Sequence, residues 1–157
     1  MSNLYTELEA AIITMLRTAV GLESVKTFEA EVRECLFTGD KLSQGFRPGE
    51  LPAIAVTAEL QPTKQGPFTA GEVELTIPVS LIAVCRAQQP MAAREQAREL
   101  QRAAEANLNL ARRSDSGLGA NAIVTGDFAS TIVVVQDKPY SFAIAETQFS
   151  ILKVVDL

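Results

Sequence analysis

Histidine and tryptophan are absent from this 157-residue chain, and cysteine occurs only twice. Without an imidazole, the commonest general base and the commonest metal ligand are gone. Ser–His–Asp and Cys–His arrangements are therefore excluded. Cys35 and Cys85 are far apart, with no CxxC spacing and no disulfide framework, and two thiolates are too few for a cysteine-based zinc site. They read as reduced thiols of a protein made in cytoplasm, with Cys85 a small buried hydrophobe. No apolar run approaches the about 18 residues that a membrane span needs. The opening MSNLYTELEAAIITMLRTAV mixes acids among its apolar residues and lacks the basic start of a signal peptide. Net charge is −5, so no global attraction to nucleic acid or to an anionic membrane is expected.

What is present is globular: 47% hydrophobic and 21% charged residues. The length suits one domain over 1–157, able to bury roughly 70% of its unfolded surface. Leu4, Leu8, Ala11, Ile12, Met15, Leu16 and Ala19 recur at helical spacing and predict a helix over 3–20, capped by Ser2 or Asn3 and ended at Gly21. A short strand is expected over 24–32, where Phe28, Ala30 and Val32 oppose Glu29 and Glu31. Residues 33–51 hold three glycines and a proline without a period, and read as a loop. Ile54, Val56, Ala58 and Leu60 alternate along a strand over 52–60.

The connector QPTKQGPFTAG, 61–71, reads as turn-rich and leads into GEVELTIPVSLIAVCRA, 71–87. There Val73, Leu75, Ile77 and Val79 share one face, while Leu81 to Cys85 are apolar on both. With 52–60 this strand is expected to form a long antiparallel hairpin. Pro78 cannot donate to a ladder, so near it the strand should pair on one side only, at a projecting hairpin or a bulge. Pro90 opens a second helix, whose buried face is Ala93, Ala97, Leu100, Ala104, Leu108 and Ala111. Small side chains let such a helix lie close to a sheet. After a loop at 114–121, AIVTGDFASTIVVVQ holds one strand, with 130–136 its clearest part, and the turn DKPY leads to a closing strand, SFAIAETQFSILKVV. There Phe142 and Ile144 mark one face, and Ala143, Ala145, Phe149 and Ile151 the other. The fold class is α+β: a mixed, mostly antiparallel sheet with two helices packed on it, in the order α-β-β-β-α-β-β.

Candidate chemistry is sparse. Glu72 with Glu74, and Glu29 with Glu31, alternate onto the solvent side of their strands and read as solvated charge. GLGAN, 117–121, follows a helix and opens a strand, the reverse of a dinucleotide fingerprint, and reads as a loop. Arg94, Arg98 and Arg102 form a basic strip along the second helix, partly neutralised by Glu95 and Glu99 at i, i+3 spacing. That strip is either a solvated face or a surface for nucleic acid or an acidic neighbour. No aromatics interleave with it.

Several stretches together resemble the Mu-like phage tail terminator family and, more distantly, other tail-completion proteins. They are LEAAIITMLRTAVGLESVKTF, then LPAIAVTAEL followed by GEVELTIPVSLIAVCRA, then AREQARELQRAAEANL and FAIAETQFSIL. The resemblance implies a non-enzymatic virion component with no cofactor and no catalytic residues. It implies a ring, typically of six copies, on the head-proximal end of a tail tube, assembled in the bacterial host cytoplasm. Such a ring halts tube growth and offers a surface for head–tail joining, with the tube protein, the sheath protein of a contractile tail and the head–tail connector as partners. DNA would at most pass through its lumen. Ring formation needs apolar surface left over by the helices. Ile82 and Val84 are the candidates for it, with Phe149 and Ile151 second. Lys64, Gln65, Phe68 and Thr69 at the hairpin tip are candidates for contact with the tube or the next subunit. The alternatives are another neck protein of the same fold and a small-molecule-binding α+β domain.

Overall fold

A computed structural model of the chain describes residues 3–30, 46, 48–58, 62–69, 71–112, 118, 122–137 and 139–156. Helix α1 spans Leu4–Arg17, and its Asn3 cap accepts a hydrogen bond from the Tyr5 amide at 2.8 Å. It stops short of the expected residue 20. Gly21 then turns the chain at φ +92°, and the Glu23 carboxylate accepts from its amide. A bond from its own backbone amide, and then the one from Gly21, lower the Glu23 pKa.

Six strands form one sheet: β1 (Thr27–Glu29), β2 (Ala53–Ala58), β3 (Lys64–Thr69), β4 (Glu72–Ala87), β5 (Ala122–Asp137) and β6 (Tyr140–Asp156). Helix α2, Pro90–Asn109, lies between β4 and β5 in sequence. The order across the sheet is β1-β2-β4-β6-β5, with β3 beside the first part of β4. β1 pairs with β2 in parallel and every other pair is antiparallel. The sheet is therefore mixed and mostly antiparallel, as expected.

Three elements differ from the sequence expectation. The connector 61–71 contains a strand: despite Gly66 and Pro67, β3 pairs with β4 from Lys64↔Thr76 to Thr69↔Glu72, with a register shift between Gln65 and Phe68. Pairing to a long neighbour overrides the local turn signal there. The strand expected within 122–136 spans Ala122–Asp137, but a register shift between Thr125 and Ala129 interrupts its pairing to β6. The strand expected over 24–32 pairs only from Thr27 to Glu29 within the described residues. Residues 31–45 and most of 114–121 lie outside the description. With them go Glu31, Cys35, much of the loop expected at 33–51 and all of GLGAN except the buried Leu118.

Pro78 is accommodated by the topology. On one side β6 pairs with every residue of β4 from Glu72 to Ala87. On the other side β3 reaches Thr76 and β2 begins at Val79. Proline and its missing amide thus sit where β4 has a neighbour on one side only, among the described residues.

The core lies between the helices and one sheet face. Leu8, Ile12, Ile13 and Leu16 of α1 join Ile54, Val56, Leu81, Ala145 and Ile151 of the sheet. Five of the six expected positions, Ala93 to Leu108, are buried on α2 in the same cluster, and the sixth, Ala111, is buried in the 3-10 turn Leu110–Arg112 that ends it. Alanines on this helix permit close approach at Gly21 too, where an added Cβ would stand 2.8 Å from the Ala103 Cβ. A polar seam joins α2 to the sheet: Gln101 donates to the Glu146 carbonyl at 3.1 Å and to the Thr147 hydroxyl at 3.0 Å. Glu105 accepts from Ser130 and Thr147.

Candidate assembly surface

Strand alternation places Ala53, Ala55, Thr57, Ser80, Ile82, Val84, Phe142, Ile144 and Glu146 on the face opposite the helices. At one end of that face Phe46 and Leu51 cover Ala53, Ala55, Val84 and Phe142 in a second small cluster, with Ile82 at its margin. At its centre the face is polar. Glu146 accepts from Ser80 at 3.3 Å and from Gln148 at 2.8 Å, and the Thr57 hydroxyl oxygen is buried without a partner among the described residues. Toward the β3 end, Lys64, Thr76, Pro78, Asp127, Gln148 and Ser150 line an open groove of ≈ 310 Å³.

β5 borders this face and, among the described residues, is an edge strand with β6 as its strand neighbour. A register shift between Thr125 and Ala129, with Gly126 at φ +76°, kinks its first part. There Phe128 meets Phe149 edge-on at 5.6 Å, and the Arg112 guanidinium lies 5.2 Å from the Phe128 ring centre. From Ala129 to Asp137 pairing to β6 is regular. Val133 and Val135 are 56% and 37% exposed. Register sets them beside Ile144 and Phe142 on the open face. Nearby, Arg86 stacks over the Tyr140 ring at 4.5 Å. Sequence reasoning did not single out Val133, Val135, Tyr140 or Arg86. The signal was the run TIVVV, apolar on both faces of a strand that has no second strand neighbour among the described residues.

The expected site residues are dispersed. Phe149 and Ile151 were expected to offer an exposed face and are instead buried in the core beneath the helices. Glu146, Gln148 and Ser150, which alternate with them, take the open face instead. Val84 is also buried, under Phe46, Leu51 and Phe142. Ile82 keeps partial exposure on the open face. Lys64 and Gln65 are exposed on β3, where Phe68 and Thr69 pair with Val73 and Glu72. Arg94 and Arg102 are exposed and Arg98 partly so, with the expected Glu95–Arg98 pair at 3.6 Å. They flank the buried face of α2 and lie apart from the β3 strand.

Chemistry is muted throughout. Among the described residues no group of three His, Cys, Asp or Glu side chains is placed to hold a metal ion. The Cys85 thiol is buried, and desolvation pushes its pKa up to about 12, so it stays protonated. Among those residues no helix is long and apolar enough to cross a membrane.

The chain matches no protein-family model and no curated protein. It is similar to a solved chain described as part of the "Virion of native gene transfer agent (GTA) particle". The TM-score is 0.54 at 13% identity, over 96% of this chain and 99% of that one. At such identity the likeness establishes a shared fold, across nearly the full length of both chains.

Proposed function

We propose that this chain is a structural component of a phage, prophage or phage-tail-like particle and acts as its tail terminator. Copies form a ring, six in the family it resembles, on the head-proximal end of the tail tube. The ring stops tube polymerisation and presents the surface for head–tail joining. The observation that carries this reading is the end-to-end likeness in fold to a chain of a gene transfer agent virion. It agrees with the sequence resemblance to tail terminators. A sheet with one helix-covered face and one partly apolar open face supplies what assembly needs. The work is done by shape and contact, with no catalytic step, and the partners are further copies, the tube protein, the sheath protein and the connector.

Light scattering with negative-stain imaging tests the reading. Multimers are expected, with closed rings at high protein concentration. The groove beside Pro78 favours a second reading, a small-molecule-binding domain, since its volume falls at the low end of ligand pockets. A chain that stays monomeric at every concentration, and melts higher with a small ligand, would replace the first reading with the second.

A further inference from the structure

Sheet edges are usually blunted by proline, lysine, irregularity or shortness. β1 is short, with three paired residues, and β3 carries Pro67 and a register shift. The β5 edge differs. From Ala129 to Asp137 it runs nine residues with regular pairing to β6, no proline and no lysine, and its one charge is the terminal Asp137. On the outer side its backbone donors and acceptors have no strand partner among the described residues.

The segment is also self-complementary. Val133 is its midpoint. An antiparallel copy centred there sets Val133 against Val133, Thr131 against Val135, Ile132 against Val134 and Ser130 against Gln136. Asp137 then falls opposite Ala129, not opposite its own copy. β-branched side chains, which suit a pleated and half-buried surface, meet across the central rungs. Moving the centre one residue toward the start would bring Phe128, beside the kink, into the ladder and waste the last rung. Val133 and Val135 are moreover exposed on the open face, where a second sheet would extend the apolar strip they share with Ile144.

We infer that the free protein pairs with a second copy across a two-fold axis at Val133, through the β5 edges, joining two six-stranded sheets into one. A two-fold contact uses the same patch twice and closes after two copies. It is thus a different contact from the head-to-tail one that builds a ring, and does not depend on ring formation.

The test uses the full chain with Cys35→Ser, so that new thiols report alone. In the paired register the two copies of residue 133 face each other at a Cα separation of about 4.5–5.5 Å, inside disulfide range. Copies of residue 135 are about 13 Å apart along the strands. Mild oxidation of Val133→Cys is expected to give a covalent dimer, and Val135→Cys to stay single. Sedimentation of the natural chain should show a reversible pair. Val133→Asp, which sets two carboxylates face to face, should weaken it at least about tenfold. A chain that sediments as a monomer throughout, equal cross-linking at 133 and 135, or cross-linking at 133 to a tube subunit would each overturn the inference. Rings that form without a 133 cross-link would overturn it and leave the terminator reading standing. A 133-linked pair whose reduced form never stops a tube would do the opposite.

Discussion

On one side of the sheet Leu81, Ala145 and Ile151 lie sealed beneath two helices; on the other, their sequence neighbours Ile82, Ile144 and Leu152 are only partly buried. Both sets sit on the same strands with the same backbone hydrogen bonds. What separates them is the helices. α2 brings alanines down onto the first face, whereas the second receives Phe46 and Leu51 at one end and a polar seam of Ser80, Glu146 and Gln148 at its centre. Burial is thus concentrated on the helix side, and among the described residues more apolar surface is exposed on the other side and along β5.

Substitutions can break that contrast. Leu81→Ala empties a fully buried position of the helix side and is expected to cost about 2–5 kcal/mol in urea unfolding. A cost below about 1 kcal/mol would mean that this face is not the stabilising one. Gly21→Ala tests how closely the helical layer fits, because it adds a Cβ 2.8 Å from that of Ala103 at a φ of +92°. A loss of about 1–3 kcal/mol is expected.

Alkaline pH sharpens the contrast through Cys85, beneath the same layer. Its thiol ionises near the ordinary value of 9.0 when unfolded, and only at about 12 when folded. Its contribution is therefore constant below pH 9 and is lost as pH rises from 9 to 12, where the unfolded chain releases a proton that the folded one keeps. The slope is at most about 1.4 kcal/mol per pH unit. Cys85→Ala should flatten the difference between stabilities measured at the two ends of that window. The smallest effect is expected at the open edge. Val133→Ala should change the unfolding free energy by no more than about 0.5 kcal/mol at a dilution that leaves single chains.

Legibility in the sequence followed the same division. The buried stripe after Pro90 was readable at all six positions, five on α2 with its 3.6-residue period and Ala111 in the 3-10 turn beyond it. The long hairpin strand and the one-sided pairing at Pro78 were readable from alternation and from proline's missing donor. The candidate surface was read less well. Burial of Val84 depends on Phe46 and Leu51, which come from a stretch without periodicity. Assigning Phe149 and Ile151 to an open face failed, although their strand neighbours Glu146, Gln148 and Ser150 already mark the opposite face of β6 as the polar one. β3 was hidden because Gly66 and Pro67 signal a turn locally, while β4 offers enough length to pair them. The β5 edge escaped because an edge is a property of the whole sheet.

Tube length measured by electron microscopy is the most direct test of the terminator reading. Tail tubes growing in vitro are given increasing amounts of this chain. Growth should stop once roughly one ring per open end is bound, with the protein found at one end only. Tubes that elongate at an unchanged rate in saturating protein would contradict the account.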